Sequence, residues 1–170
     1  MWHYLGIDPG KQGGLSVLNE RGDILYLETM PTEGTDISPH FLWECIGELR
    51  RDYPNLKAWI ERVNSRPKSS GASMFTFGKG FGYLVMAIIG YKIPFQMVTP
   101  GAWTKEMHRG IGKQFPTTKD RSLASARRIW PDQSWLASNR SKKPHDGLFE
   151  AALIAEYGRR MQITPKCDPW

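Results

Sequence analysis

The chain has 170 residues, with 23 Lys and Arg against 17 Asp and Glu, so its formal charge is +6 and its isoelectric point about 9.4. Hydrophobic residues make up 40% and charged residues 24% of the sequence, which is typical of a folded globular protein and excludes a largely disordered chain. The length fits a single domain. We expect this domain over residues 1–161, followed by a C-terminal tail over 162–170.

No membrane segment or disulfide framework is expected. The longest strongly apolar run, Leu84 to Ile89, is far shorter than the ~20 residues of a membrane-spanning helix, and the first residues lack the pattern of a secretion signal. Two cysteines, Cys45 and Cys167, are too few for a disulfide framework or a zinc site. These features predict a soluble protein in a reducing, cytoplasmic compartment.

Charge is unevenly distributed along the chain. Met1 to Leu56 contains 4 basic and 9 acidic residues, whereas Lys57 to Trp170 contains 19 basic and 8 acidic residues. Because Lys and Arg displace counterions from phosphates, the basic segment indicates a polyanionic partner such as a nucleic acid. The alternative is a basic surface without such a partner.

The first part of the chain predicts four strands and one helix. Apolar or alternating runs separated by turn residues predict strands at Trp2–Ile7, Gly14–Leu18, Ile24–Thr29 and Lys57–Glu61. Between the last two, apolar residues at helical spacing predict a helix that begins at Pro39 and ends before Pro54.

The second part predicts one more strand and three more helices. Helical spacing or capping residues predict helices over Ala72–Gly90, Lys119–Trp130 and His145–Arg160. A strand is predicted at Phe95–Val98, and Thr99–Trp103 has the pattern of a helix start. The fold class is therefore α/β, with a mixed five-stranded sheet flanked by helices.

Four carboxylates lie at or near the ends of predicted elements. Asp8 follows the first strand, Glu61 ends the fourth, and Asp146 and Glu150 lie about 40° apart on one face of the last helix. If these ends converge, the carboxylates raise one another's pKa unless divalent cations neutralise them. Oxygen ligands favour Mg²⁺ or Mn²⁺, and two such ions can activate water and hold a phosphodiester. Carboxylates beside a basic surface therefore indicate a nuclease.

The acids also have purely structural alternatives. Asp8 can be a turn residue before Pro-Gly, Glu61 a solvated strand end, and Asp146 a first-turn charge that favours the helix dipole. Only the meeting of all four in one place distinguishes the two interpretations.

Four motifs occur in the order in which a known family carries them: Gly6-Ile7-Asp8-Pro9-Gly10, Ile60-Glu61-Arg62, Gly78-Lys79-Gly80-Phe81-Gly82, and His145-Asp146-Gly147-Leu148-Phe149-Glu150-Ala151-Ala152. Over nearly its whole length the chain resembles a RuvC-type Holliday junction resolvase of the phage kind. The resemblance implies an RNase H-like fold, a homodimer, two Mg²⁺ or Mn²⁺ ions per active site and no nucleotide cofactor. It also implies paired nicks in a four-way DNA junction that leave 5′-phosphate and 3′-hydroxyl ends. The compartment would then be the cytoplasm of a bacterial host.

The resemblance implies catalytic and metal-binding roles for Asp8, Glu61, Asp146 and Glu150. Glu150 takes the position of a last acid that is usually Asp in bacterial members, and their partner acid or His, three residues earlier, corresponds to Gly147. Asp146 therefore takes that role one residue further away, and His145 is a rival whose duty, catalytic or supporting, the sequence leaves open. Residues 63–65 also lack the aromatic side chain with which bacterial members stack on DNA bases.

Two groups of basic residues are candidates for contacts with the DNA backbone. One flanks the second acid and extends into the next helix: Arg62, Arg66, Lys68 and Lys79. The other follows the fifth strand: Lys105, Arg109, Lys113, Lys119, Arg121, Arg127 and Arg128. A solvated helix face explains about half of the second group equally well.

Two other functions stay open at this point. An RNase H- or transposase-like nuclease would act on duplex substrates, and a non-catalytic junction-binding protein would use the basic surface alone. An actin-like kinase, which has a phosphate loop similar to Gly6–Gly10, needs two domains, and 170 residues cannot hold them.

Overall fold

The computed structural model describes residues 1–62, 70–112 and 114–161, which form seven strands and five helices. The strands are β1 (His3–Asp8), β2 (Gly14–Leu18), β3 (Ile24–Thr29), β4 (Thr32–Glu33), β5 (Asp36–Ile37), β6 (Leu56–Glu61) and β7 (Phe95–Val98). The helices are α1 (Pro39–Asp52), α2 (Gly71–Gly90), α3 (Pro100–Met107), α4 (Thr118–Ile129) and α5 (Asp146–Met161). The predicted tail over 162–170 lies outside the described residues.

Five of the strands form one mixed sheet in the order β3-β2-β1-β6-β7. β1, β2 and β3 are antiparallel neighbours, whereas β6 and β7 run parallel to β1. Parallel neighbours need a crossover connection, which α1 supplies between β3 and β6 and α2 between β6 and β7. The predicted α/β class, a mixed five-stranded sheet flanked by helices, is confirmed.

Helices cover both faces of the sheet. Leu5, Ile7 and Ile60 pack into a core shared with α1 and α2, whereas Trp59 packs into a second core with α3, α4 and α5. Because successive strand residues point to opposite faces, the acids that follow Ile7 and Ile60 lie on the face covered by α5. The sheet therefore directs the charged ends of β1 and β6 towards one helix.

Small residues let α5 lie directly on β1. A Cβ atom at Gly6 would come within 2.1 Å of the carbonyl oxygen of Ala151 and 2.3 Å of the backbone nitrogen of Ala155. No side chain fits at Gly6, so strand and helix backbones are in contact there. This contact fixes the position of Glu150 relative to the end of β1.

One helix, α2, exposes a largely apolar face to solvent. Its other face is buried in the core through Leu84, Val85, Ala87 and Ile88. The exposed positions recur at helical spacing: Phe75, Gly78, Gly82, Met86 and Ile89. By length and composition α2 is also able to cross a membrane, although burial of its inner face in the core is typical of a core helix.

Most predicted boundaries agree with the structure to within one residue. The last helix begins at Asp146 rather than at the predicted His145, which lies just outside it. The short hairpin β4–β5 is an addition, and its turn contains Gly34 at a φ of 61°. The predicted helix start at Thr99–Trp103 continues as a complete helix, α3, with Thr99 as its N-cap.

Candidate active site

Asp8 and Glu61 lie at the carboxyl ends of adjacent parallel strands. Ile7 pairs with Ile60 in the sheet, so the two acids follow by one residue on strands about 4.8 Å apart. Both side chains are half-buried. The indole Nε1 of Trp103 donates a hydrogen bond to Oε2 of Glu61 over 2.6 Å. Two of the four predicted acids therefore lie next to each other at the carboxyl ends of β1 and β6.

The first turns of α5 bring the other two acids to the same place. Asp146 is the first residue of the helix and Glu150 lies one turn later. Between them, Gly147 packs on the turn that follows Asp8, because a Cβ atom at Gly147 would lie 2.3 Å from the carbonyl carbon of Gly13. No side chain fits at Gly147, so the start of α5 is in direct backbone contact with the turn after β1.

The pKa values of two of these acids are raised by burial and by the charges of the neighbouring acids. Burial, followed by the charges of Glu150 and Glu61, raises the pKa of Asp8 to about 8. Burial, followed by the charges of Glu61 and Asp146, raises the pKa of Glu150 to about 7. All four acids are therefore within electrostatic range of one another.

Lys119 of α4 is a cation in direct contact with one of the four acids, Asp146. Its Nζ forms a hydrogen bond and an ion pair with Oδ2 of Asp146, and this contact raises the pKa of Lys119. Its charge also opposes the raised pKa values of Asp8 and Glu150. Within the part of the chain that the structure describes, one ammonium group thus acts on these carboxylates.

The carboxylate oxygens of the four acids are suitable ligands for a hard divalent cation, but the side chains are not close enough together to bind one ion in their present arrangement. Within residues 1–62, 70–112 and 114–161, no three His, Cys, Asp or Glu side chains are grouped so that they could hold one ion as they stand. Carboxylate oxygens are nevertheless ligands that Mg²⁺ and Mn²⁺ prefer, and a bound cation would lower the raised pKa values of Asp8 and Glu150. The roles of Asp8, Glu61, Asp146 and Glu150 as ligands stay predictions.

His145 lies immediately before α5. Its backbone N–H donates to the carbonyl of Trp135 over 2.7 Å, which closes the loop that precedes the helix. Its Nδ1 is buried and has no hydrogen-bond partner in the described part of the chain. The choice between a catalytic and a supporting duty for His145 stays a prediction.

Three residues around the acids were not singled out from the sequence. Trp103 contacts Glu61, and buried Ser122 forms a hydrogen bond with Nε2 of His108 and lowers the pKa of the neighbouring Glu150. No sequence pattern marks them, because 42 positions separate Trp103 from its acid.

The residues predicted to contact DNA differ in their exposure to solvent and in their partners within the chain. Arg62, Lys105 and Arg127 are exposed. Lys79 forms an ion pair with Asp36 over 2.7 Å. Predicted contacts at Arg66, Lys68 and Lys113 lie outside the described residues.

The remaining predicted contacts have partners within the chain. Arg109 pairs with Glu106, and Nη1 of Arg128 donates to the carbonyl of Arg109 over 2.8 Å. Nε of Arg121 donates to the carbonyl of Thr117. Three exposed cations in the loop before α5 were not among the predicted contacts: Arg140, Lys142 and Lys143.

The raised pKa of Asp8 predicts how stability depends on pH without divalent ions. Folded Asp8 keeps its proton between its ordinary pKa of 3.8 and about 8, where the unfolded chain has lost it. The free energy of unfolding should therefore fall as the pH rises through this window, by up to ~1.4 kcal/mol per pH unit for one group. Urea unfolding in EDTA at several pH values measures this slope.

The variant Asp8→Asn should show a shallower slope and a larger free energy of unfolding than the wild type at about pH 8. Asp23→Asn, at an exposed turn, serves as the control. An Asp8→Asn slope equal to that of the wild type would show that Asp8 is not crowded by the other acids.

Comparison with known proteins gives matches in structure only. No protein-family model matches the chain, and no curated protein matches its sequence. Thermus thermophilus RuvC in complex with a Holliday junction substrate superposes with a TM-score of 0.66 at 17% identity, covering 98% of this chain and 100% of that one. A second Thermus thermophilus RuvC structure gives 0.61 at 19% identity, covering 96% and 98% of the two chains.

A third match lies in a eukaryotic protein. The yeast mitochondrial Holliday junction resolvase superposes with a TM-score of 0.59 at 16% identity, covering 93% of this chain and 78% of that one. These likenesses extend over nearly the whole chain and include the strands and the helix that carry the four acids. The chain thus has the RNase H-like fold of RuvC, as its sequence motifs imply.

Proposed function

We propose that the protein is a metal-dependent, structure-selective endonuclease that resolves four-way DNA junctions. Paired nicks would leave 5′-phosphate and 3′-hydroxyl ends. The observation that carries the proposal is the meeting of acids from β1, β6 and α5 beside Lys119, on the fold of RuvC. Two structural neighbours support the choice of substrate, since one is bound to a Holliday junction and another is named as a junction resolvase.

The chain's own contribution is to hold the acids on rigid elements. Asp8, Glu61, Asp146 and Glu150 would bind Mg²⁺ or Mn²⁺, which when bound supplies an activated water and stabilises the leaving 3′-oxygen. Lys119 is partly exposed beside Asp146, so its ammonium group is able to approach a DNA phosphate from the same side.

A substrate panel tests the proposal. An immobile four-way junction, a linear duplex and an RNA–DNA hybrid of the same sequence are incubated with Mg²⁺ or with EDTA. We expect nicks in the junction with Mg²⁺ and none in EDTA or in the duplex. Preferred cleavage of the hybrid would favour the RNase H-like alternative, and tight junction binding without cleavage would favour the non-catalytic one.

A homodimer forms part of this proposal, because two opposed strands need two active sites. The exposed face of α2 supports it. That face is apolar apart from Lys79 at its side, which is paired with Asp36. Additional Cβ atoms at Gly78 and Gly82 would meet nothing within 4 Å, so another helix could approach closely there. Phe75 is 73% exposed and Met86 61% exposed, which is unfavourable for a monomer.

A charge on this face should separate the subunits. Met86→Glu is expected to give a monomer in analytical ultracentrifugation and to abolish paired nicking, because a buried carboxylate without a partner is costly. Leu25→Glu, at an exposed apolar position on the edge strand β3, is the matched control and should stay dimeric. A dimeric Met86→Glu variant would place the interface elsewhere.

The loop before α5 should add phosphate contacts next to the acids. Arg140, Lys142 and Lys143 are exposed, and the loop is closed by the hydrogen bond between Trp135 and His145. Replacing all three by Ala should weaken junction binding at every sequence and lower the salt slope by about 0.9 per lost phosphate contact.

The control for this prediction replaces three cations at the opposite edge of the sheet: Arg50, Arg51 and Lys92. Fluorescence anisotropy at several salt concentrations measures both slopes. Equal slopes for the two triple variants would exclude the loop from the DNA-binding surface.

A further inference from the structure

Helix α3 carries none of the four acids, yet it contacts the site at two points. Trp103, which is 1% exposed, donates its indole N–H to Oε2 of Glu61 over 2.6 Å. His108 immediately follows the helix as its C-cap residue. The two rings pack edge to face, with their centroids 6.1 Å apart and their planes at 80°.

From His108 the contact continues to a second acid. Its Nε2 lies 3.0 Å from Oγ of Ser122, which is completely buried on α4. Ser122 in turn lies beside the side chain of Glu150, where its hydroxyl group lowers the pKa of that carboxyl against the effect of burial. A continuous series of contacts therefore joins Glu61 on β6 to Glu150 on α5.

The direction of the first of these contacts is fixed. An indole N–H only donates, so Trp103 engages the Glu61 carboxylate as an acceptor. In the contact between His108 and Ser122 either group is able to donate, because the ring nitrogen carries a hydrogen in one tautomer and a lone pair in the other.

We propose that Trp103 and His108 are positioning residues, which hold Glu61 and Glu150 at the separation that the reaction requires. This inference rests on the proposed function of the site. Partners that orient ligand side chains in this way typically change metal affinity or activity by 10–100-fold when they are removed. The cause is geometric, because a misplacement of about 1 Å at reacting groups costs about 100-fold.

Matched pairs of variants test the inference. Trp103→Phe keeps an aromatic ring and removes the donor to Glu61. Trp135→Phe makes the same chemical change at a buried indole whose Nε1 has no partner in the described residues. Ser122→Ala is matched by Ser125→Ala, since both serines are fully buried on α4 but the Ser125 hydroxyl donates to the carbonyl of Met107.

Three quantities are measured for each variant: kcat for junction cleavage, Mn²⁺ affinity by calorimetry, and junction affinity in EDTA. Trp103→Phe and Ser122→Ala should lower kcat and Mn²⁺ affinity by about 10–100-fold and leave junction affinity unchanged. His108→Asn should behave in the same way. Trp135→Phe and Ser125→Ala should resemble the wild type in all three quantities.

The inference is overturned if Trp103→Phe and Ser122→Ala match their controls in kcat and Mn²⁺ affinity. This result differs from failure of the proposed function, in which the wild type itself cuts no junction. In that case the Mn²⁺ titration still decides the inference, because it requires no cleavage. If the Trp103→Phe variant does not fold, the Ser122→Ala and His108→Asn variants test the inference in its place.

Discussion

Replacing Asp8 by Asn is expected to lower junction cleavage by about 1,000-fold or more, because it removes a charge from the proposed metal ligands without changing the shape of the side chain. Junction binding should persist, since the basic surface is untouched. Initial rates of nicking on a denaturing gel, together with binding in EDTA, measure the two effects separately. Glu61→Gln should likewise lower cleavage strongly and leave junction binding unchanged.

Asp23→Asn is the matched control for this prediction. Asp23 lies in an exposed turn and pairs with Arg21, away from the other acids. Its variant should cut at the wild-type rate. If Asp8→Asn or Glu61→Gln also cut at near that rate, the residue concerned would hold no metal.

The second large effect concerns the start of α5. Asp146 and Glu150 share one face of the helix about 40° apart, whereas His145 precedes the helix. Hard oxygen ligands suit Mg²⁺ better than a ring nitrogen does. We therefore expect Asp146→Asn and Glu150→Gln each to abolish cleavage and His145→Ala to leave a measurable rate.

The opposite pattern would reverse these roles. An inactive His145→Ala beside an active Asp146→Asn, with both variants folded and binding junctions normally, would assign the histidine to the ligand set. Asp146 would then serve only to pair with Lys119 and to stabilise the first turn of α5.

The sheet was predictable because its strands carry strong local signals. Gly14–Leu18, Ile24–Thr29 and Phe95–Val98 have the same bounds in the sequence prediction and in the structure. The hairpin β4–β5 was not predictable, because two-residue strands leave no periodic pattern. The position of α3 as a complete helix depended on the burial of Trp103 and Met107, which no local signal shows.

The acids could be predicted as a group because Asp8 and Glu61 end strands, Asp146 begins a helix, and Glu150 lies one turn later on the same helix face. Their surroundings could not. The contact of Lys119 with Asp146 joins residues 27 positions apart, and the contact of Trp103 with Glu61 joins residues 42 positions apart. The lack of room for a side chain at Gly147 is likewise visible only in the structure, where the Gly13 backbone occupies the space.

The central claim is tested most directly by mapping nicks on a synthetic immobile junction labelled on each of its four strands in turn. With Mg²⁺ the wild type should nick two opposed strands at symmetric positions, and DNA ligase should reseal the products, which requires 5′-phosphate and 3′-hydroxyl ends. Asp8→Asn should bind the same junction and leave all four strands intact. Wild-type protein that binds the junction but nicks no strand, or that cuts the linear duplex equally well, would contradict the account.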